Sequence, residues 1–237
     1  MRKANPHNIP SRLPGDHRVP TRADLAQPGV RPLKRGEPDK ADLLLVPTAE
    51  GQVVVKDFRA KAWWVRGIGR LQIAREVRAY QALGSIPGIP RLVGRIDGLA
   101  VAIERIEGEP LGHAGDRARD GAEKLGQLRA ILDRIHARGV AHWDLRARDN
   151  VLVDRAGQVF VLDFASAMRL RPGGLPHRLL FRWCRLIDES AYLKWKRLLD
   201  AGPYSSAEQR FVDRYRIWRA LWFHRSKAWR GKDKPRS

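Results

Sequence analysis

The segment NVLVDRAGQVFVLDF, residues 150–164, constrains the fold of this chain more than any other. Its two apolar runs are separated only by DRAGQ, which predicts a β-hairpin. Because a hairpin brings the residue before its first strand next to the residue after its second, Asn150 should lie beside Asp163. An amide oxygen and a carboxylate suit Mg²⁺, which combines a few oxygen ligands with water and substrate phosphates. The hairpin therefore predicts a metal and phosphate site at its open end.

A third oxygen-bearing side chain, Asp144, precedes Asn150 by six residues. Apolar residues at helical spacing predict a helix over about 117–138, and Gly139 follows as a stop signal. Asp144 should therefore lie in the loop between this helix and the hairpin, where a carboxylate can orient and deprotonate an acceptor hydroxyl. We expect His142 to brace this loop by hydrogen bonding rather than to transfer protons.

The first half of the chain supplies a cation. The runs in DLLLVPTAEGQVVVKDF, joined by AEG, predict a hairpin with Lys56 on its second strand. A helix with Glu76 just beside its apolar face should follow, so that the glutamate can pair with Lys56 and hold it against phosphates. Two further runs in residues 89–111, split by DG, predict another hairpin. The apolar face of the helix is predicted to contain Leu71, Ala74, Val77, Tyr80 and Leu83.

Four dispersed motifs resemble those of the protein-kinase-like superfamily. VVVK at 53–56 looks like the strand motif V-A-I-K, and Glu76 looks like the glutamate of the helix that follows it. HWDLRARDN at 142–150 is similar to H-R-D-L-x-x-x-N, and LDFA at 162–165 is similar to D-F-G. The resemblance runs from about residue 43 to 165 and implies an α+β, two-lobed protein-kinase-like fold. A small antiparallel β-sheet N-lobe would be joined to a reduced, mainly helical C-lobe.

The resemblance also implies a role for each site residue. Asp144 would accept the proton of the acceptor hydroxyl, and Arg146 would neutralise the γ-phosphate where many such kinases carry a lysine. A solvated loop arginine is the alternative interpretation of Arg146. The cofactors would be ATP and Mg²⁺. The implied nucleotide-binding residues are Lys56, Glu76, Glu104 and Ile106, and the implied metal ligands are Asn150 and Asp163.

Four departures from the family pattern affect these expectations. The spacing from Asp144 to Asn150 is one residue longer than usual, so Asp149 is an alternative metal ligand. Only Gly36 is available where a phosphate-covering glycine-rich loop is expected, so nucleotide affinity would depend on the metal and Lys56. Ala165 replaces the glycine of D-F-G, which restricts the backbone and argues against a regulatory flip. No A-P-E motif follows, so a peptide-docking half is expected to be missing.

The chain is predicted to consist of three parts. Residues 1–40 form a basic, Pro-rich tail without helical or strand periodicity, which we expect to be mobile. Residues 41–107 form the N-lobe, and 108–237 form the C-lobe with basic, Trp-rich helices predicted at 178–199 and 210–230. We expect a cytoplasmic protein, since no apolar run is long enough to span a membrane and MRKANPHNIP does not resemble a signal peptide.

The formal net charge of +20 indicates attraction to polyanions without naming one. In the last predicted helix an aromatic stripe lies among arginines, which suits an anionic membrane surface but also suits packing against the core. That stripe contains Phe211, Tyr215, Trp218 and Trp222.

The missing peptide platform favours compact bacterial kinases that phosphorylate Kdo or heptose of the lipopolysaccharide inner core, acting on a glycolipid acceptor at the inner membrane. RIO-type protein serine/threonine kinases are the main alternative, and there the charge would serve ribosomal RNA. A nucleotide-binding scaffold without turnover and a plain DNA-binding protein are further alternatives. A DNA-binding protein would leave the Lys, Glu, Asp, Asn, Asp series unexplained.

Overall fold

The computed structural model describes residues 18–49, 51–112 and 120–222, with side chains described to residue 215. This part of the chain has the predicted α+β architecture. The strands are β1 (Arg31–Lys34), β2 (Asp42–Thr48), β3 (Gly51–Asp57), β4 (Leu92–Arg95), β5 (Ala100–Glu104), β6 (Gly108–Pro110), β7 (Val140–Ala141), β8 (Val151–Asp154), β9 (Val159–Val161) and β10 (Met168–Arg169). The helices are α1 (Trp63–Leu83), α2 (Gly121–Ala137), α3 (Leu175–Leu198) and α4 (Ser206–Trp222).

The N-terminal half is built on one antiparallel sheet in the order β1-β2-β3-β5-β4. Both hairpins predicted here are confirmed as β2–β3 and β4–β5. The central strand, β3, alternates its side chains between two faces. Val53 and Val55 pack in a small cluster on one face, while Val54 joins the main core on the other. Lys56 shares the face of Val54, and this is why its side chain points into the molecule.

Helix α1 is rotated relative to its predicted face. Leu71 is 68% exposed, whereas Val77, Tyr80 and Leu83 are buried as expected. The reason is a close approach at Gly69, where a Cβ atom would lie 2.5 Å from the ring of Phe58. The face that packs against the sheet therefore passes through Gly69 and takes in Glu76, which is 1% exposed.

Residues 18–40 differ from the predicted tail. β1 pairs with β2 in this segment, so the prediction of no strand is wrong here. Arg22 fixes the segment to the sheet, because its guanidinium lies 2.6 Å from the carboxylates of both Asp57 and Asp97. Residues 1–17 lie outside the described residues.

The C-terminal half contains the third predicted hairpin, confirmed as β8–β9, with β6 paired to the other edge of β8. Asp154 stabilises the turn by accepting hydrogen bonds from the backbone N–H groups of Ala156 and Gln158, both at 2.9 Å. The two-residue strands β7 and β10 pair beside it. α2 and α3 pack on each other and on this region, and one continuous core joins Val77 of α1 to Leu128 of α2 and Trp195 of α3.

Helix α4 begins at Ser206 and is described to Trp222. Phe211 and Tyr215 of the predicted aromatic stripe stack with ring centroids 5.8 Å apart. The side chains of Trp218 and Trp222, and the predicted extension of the helix to 230, lie outside the described residues. Within the part of the chain that the structure describes, none of the helices is both long and apolar enough to cross a membrane.

Candidate active site

A buried lysine lies at the centre of the candidate site. The ammonium of Lys56 lies 2.7 Å from a carboxylate oxygen of Glu76 and 2.8 Å from one of Asp163. These contacts bring together β3, α1 and the segment after β9. The structure therefore places the predicted phosphate-binding pair and one predicted metal ligand in one cluster.

The protonation of this cluster follows from its charges. Burial alone would lower the pKa of Lys56, but the adjacent charges of Glu76 and Asp163 raise it above its ordinary value. Burial would likewise raise the pKa of Asp163, but Lys56 holds it below its ordinary value. At neutral pH Lys56 is therefore an ammonium and Asp163 is ionised. The ammonium is the group that can neutralise the charge of a phosphate.

Asn150 and Asp144 form the second part of the site. The amide nitrogen of Asn150 donates to the backbone oxygen of Asp144 at 2.8 Å and to its carboxylate at 3.0 Å. The predicted hairpin register is confirmed where the backbone N–H of Leu162 donates to the carbonyl of Asn150 at 2.8 Å. Asp149, the alternative ligand, is an exposed residue that pairs with Lys34 at 2.7 Å instead. The longer loop therefore turns Asn150, and not Asp149, toward Asp144.

Asp144 is suited electrostatically to accept a proton. Burial raises the pKa of its carboxyl above the ordinary aspartate value, and the hydrogen bond from Asn150 opposes this shift. The negative charge of Asp163 also raises this pKa, so the two carboxylates are close enough to interact. A raised pKa makes Asp144 a stronger base than an aspartate with the ordinary pKa.

Asp163 itself has a left-handed backbone, with φ of 65°. Aspartate tolerates this region better than most residues, and its carboxylate accepts a hydrogen bond from the N–H of Ala165 at 3.2 Å. The next residue, Phe164, is fully buried and packs against the rings of Tyr80, at 5.2 Å, and His142, at 4.8 Å. This packing holds the Asp163 segment between α1 and the Asp144 loop.

Asp188 of α3 holds the loop that carries Asp144 in place. Its buried carboxylate accepts hydrogen bonds from the backbone N–H groups of His142, at 2.8 Å, and Trp143, at 2.9 Å. The side chain of His136 lies 2.9 Å from the same carboxylate. His142 braces the loop as expected, since its Nε2 lies 2.8 Å from the carbonyl of Leu162. Trp143 has a φ of 69°, and Asp188 stabilises this unusual backbone.

Arg146 is directed toward α3. Its guanidinium donates to the backbone oxygen of Ser190 at 3.1 Å. Lys194 and Trp195 in turn donate to the carbonyls of Arg146 and Leu145 at 2.7 and 2.9 Å. Arg146 therefore helps to anchor the loop to α3. Its contact with a γ-phosphate stays a prediction.

Glu104 and Ile106 lie at the end of β5 and in the connection to β6. The carboxylate of Glu104 accepts a hydrogen bond from the backbone N–H of Arg91 at 3.0 Å, which ties β4 to β5. Ile106 is half-buried in the connection. Their predicted contact with a nucleotide stays a prediction.

The connection between β1 and β2 occupies the place of the missing glycine-rich loop. Gly36 is tightly packed here, because a Cβ atom would lie 2.2 Å from the carbonyl oxygen of Ala41. Of the lysines in this region, Lys34 pairs with Asp149 of the Asp144 loop at 2.7 Å, whereas Lys40 pairs with Glu37 at 3.0 Å, which raises the pKa of Lys40. A lysine side chain thus contacts the Asp144 loop from the segment where a glycine-rich loop was expected.

The donor set fits magnesium. Asn150 uses its amide nitrogen for Asp144, so its oxygen is the atom that would face a cation, and Asp163 adds a carboxylate. Mg²⁺ completes such a set with water and phosphate oxygens. Among the described residues there is no group of three or more His, Cys, Asp or Glu that could hold a metal by itself.

Comparisons with known proteins give partial matches to kinases. Sperm motility kinase Z of Mus musculus is 30% identical over 135 residues, which are 54% of this chain and 26% of that protein. Myotonin-protein kinase of Mus musculus is 34% identical over 56 residues, which are 24% of this chain and 9% of that protein. The chain thus spans about a quarter or less of these relatives. No protein-family model matches it. The partial matches indicate no more than a distant kinase-like relationship.

Sequence reasoning missed the anchoring residues on α3. The available signal was an acid on an apolar helical face, because Asp188 follows Phe181 and Cys184 at helical spacing and precedes Ala191 and Trp195. An acid in such a position lies on the face of the helix that is buried, and a buried carboxylate needs hydrogen-bond donors. Which donors it finds depends on tertiary structure.

Replacing Asp188 with alanine tests the anchoring of the loop. We expect Asp188→Ala to lower the free energy of unfolding by about 3 kcal/mol, because it leaves two buried backbone N–H groups without an acceptor. Urea denaturation followed by circular dichroism measures this loss. Glu189→Ala is the matched control at the next position and should cost less than about 1 kcal/mol. Equal losses in the two variants would contradict the assignment.

Replacing Lys56 tests the buried charge cluster. Lys56→Met should destabilise the protein by about 3 kcal/mol, because Glu76 stays buried without its counter-ion. Lys56→Met/Glu76→Leu should recover part of this loss, since it removes the uncompensated carboxylate. Lys34→Met, which breaks an exposed ion pair, is the control and should be nearly neutral in the same urea titration. A double variant no more stable than Lys56→Met would show that the pair is not coupled.

Proposed function

We propose that this chain is an ATP- and Mg²⁺-dependent phosphotransferase that transfers the γ-phosphate to an alcohol hydroxyl. One observation carries the proposal: Lys56 lies between Glu76 and Asp163, at 2.7 and 2.8 Å. Lys56 keeps its positive charge although it is buried. Its partner Asp163 could bind a metal ion in place of the lysine, and this combination suits a polyphosphate ligand. The partial similarity to two kinases supports the same chemistry.

Each residue has a distinct task in the proposed reaction. Lys56, oriented by Glu76, binds phosphate oxygens and neutralises their charge. Asn150 and Asp163 would hold Mg²⁺, which when bound supplies further charge neutralisation on the phosphates. Asp144 accepts the proton of the acceptor hydroxyl, and Asn150 orients its carboxylate. The oxygen of the acceptor then forms the new bond to phosphorus as the bond to ADP breaks.

The proposed acceptor is a sugar hydroxyl of the lipopolysaccharide inner core or of a related glycolipid. The segment from Phe164 to the start of α3 at Leu175 supports this choice, because it is short and is paired to β7 through β10. Such a segment offers little surface for an extended peptide. The strongly basic composition suits a phosphate-bearing acceptor.

A protein kinase, of which the RIO-like serine/threonine type is our candidate, is the second possibility, since one matched relative is named a protein kinase, myotonin-protein kinase. In that case the basic surface would bind ribosomal RNA. Co-sedimentation with ribosomes that weakens steeply with salt would favour this candidate.

Acceptor labelling tests the proposed function. Purified full-length chain is incubated with γ-labelled ATP, Mg²⁺ and either core glycolipid or a mixture of proteins. We expect label in the glycolipid and a loss of about a hundredfold or more in Asp144→Asn and Asp163→Asn, because they lack the base and a metal ligand. Asp149→Asn is the matched control and should retain activity. Label in protein alone would reject the sugar acceptor, and labelling that survives Asp144→Asn would reject phosphotransfer by this site.

The pH dependence of kcat tests the role of Asp144 as base. Because burial raises the pKa of Asp144, the ionised form is lost at a higher pH than for an ordinary aspartate, and activity should fall as pH drops through that value. Asn150→Asp keeps an oxygen ligand but replaces a donor with a negative charge, which raises the pKa further. Its acid limb should shift upward by roughly one pH unit, while that of Asp149→Asn stays in place. Superimposable acid limbs for wild type and Asn150→Asp would argue against Asp144 as the base.

A further inference from the structure

The first half of α3 exposes a set of large apolar side chains. Leu175 is 70% exposed, Leu179 65%, and both Leu180 and Trp183 55%. Leu175, Leu179 and Trp183 follow one another at a spacing of four residues along one side of the helix, and Leu180 lies at the edge of that side, next to the face that buries Phe181, Cys184 and Asp188. We call these four exposed residues the α3 stripe. A contiguous group of exposed apolar side chains marks an interaction surface more often than isolated apolar residues do.

The segment that contains the α3 stripe is basic, and of its arginines Arg185 also pairs with Glu189 at 3.7 Å. From residue 166 to residue 187 the chain contains five arginines and no aspartate or glutamate. The guanidinium of Arg182 lies 5.5 Å from the ring centre of Trp183, so charge and stripe are in direct contact. These arginines are Arg169, Arg171, Arg178, Arg182 and Arg185.

Charge complementarity disfavours this chain as the occupant of the stripe. The longer segments outside the described residues, 1–17, 113–119 and 223–237, each contain more Lys and Arg than Asp and Glu. A second copy would be repelled, because the whole chain carries a formal net charge of +20. The arginines favour an anionic occupant, and the apolar side chains favour one that accepts leucine and tryptophan.

We propose that the α3 stripe inserts into the interface of an anionic lipid bilayer. A helix with leucine and tryptophan on one face and arginines beside them has the composition of a helix that lies in the plane of a membrane surface. The apolar side chains enter the boundary between headgroups and acyl chains, and the arginines contact lipid phosphates. This is binding by one face of a helix, and it requires no membrane span.

Helix α1 also exposes four large apolar residues, Trp63 at 78%, Leu71 at 68%, Trp64 at 52% and Ile68 at 48%. α3 separates its apolar and basic side chains more strongly than α1 does, and this separation favours α3 as the inserting face. α1 provides a matched comparison, since the same kinds of side chain can be removed from either helix.

Vesicle co-sedimentation of the full-length chain tests the proposal. The vesicles contain phosphatidylcholine alone or with about 30% phosphatidylglycerol, an anionic lipid, at about 0.1 and 0.5 M salt, since salt screens non-specific attraction. We expect wild type to bind the anionic vesicles at both salt concentrations. Leu179→Ser/Trp183→Ser should bind about tenfold or more weakly at high salt, where apolar insertion dominates. The matched variant Trp63→Ser/Leu71→Ser should bind like wild type.

Two further variants separate folding and catalysis from binding. Arg178→Gln/Arg182→Gln keeps the stripe and should weaken binding about fivefold for each charge removed at low salt. Asp144→Asn should bind vesicles like wild type, so failure of phosphotransfer and failure of membrane binding are separate results. Circular dichroism and thermal melting confirm that each variant is folded. The proposal is overturned if wild type binds neither vesicle, if the α3 variant binds like wild type, or if only the α1 variant loses binding.

Discussion

The ammonium of Lys56 connects three segments that are far apart in the sequence. Removing this charge from water is costly, and it is tolerated because Glu76 and Asp163 lie at 2.7 and 2.8 Å. The cost of burial therefore enforces the arrangement: β3, α1 and the Asp163 segment must all be in place for the charges to be compensated. In the function that we propose, a polyphosphate would replace Asp163 as the partner of the lysine, while Glu76 holds the lysine in position.

A second buried charge fixes the other side of the site. Asp188 accepts two backbone N–H groups of the loop at His142 and Trp143, so its partners are backbone groups that any sequence would supply. This contact sets the path of the loop, and the position of Asp144 then follows from loop length. Within this loop Asp149 turns outward to Lys34, while Asn150 turns inward and donates to Asp144.

The sequence predicted those features that depend on local periodicity. Three hairpins and the helices follow from apolar runs and short turns, and they are present in the described residues. The hairpin register that pairs Asn150 with Leu162, the residue before Asp163, is confirmed too. The rotation of α1 could not be predicted, because it depends on Phe58 packing against Gly69. β1 carries few β-formers in RPLK and is a strand because it pairs with β2. The direction of Arg146 toward Ser190 and the donors of Asp188 are likewise set by contacts between distant segments.

Helix α3 joins the two surfaces for which we propose a ligand. Its second half holds the Asp144 loop through Asp188, Lys194 and Trp195, and its first half carries the α3 stripe. Between Leu179 and Ser190 the helix rises by about 16 Å, so a helix lying in the membrane plane would place the stripe and the anchored loop about 16 Å apart along the bilayer surface. Because the helix is continuous, a membrane bound at the stripe would fix the orientation of the site relative to the lipid. A hydroxyl on the headgroup sugars of a glycolipid lies at that same surface, whereas a hydroxyl on a free protein is under no such constraint.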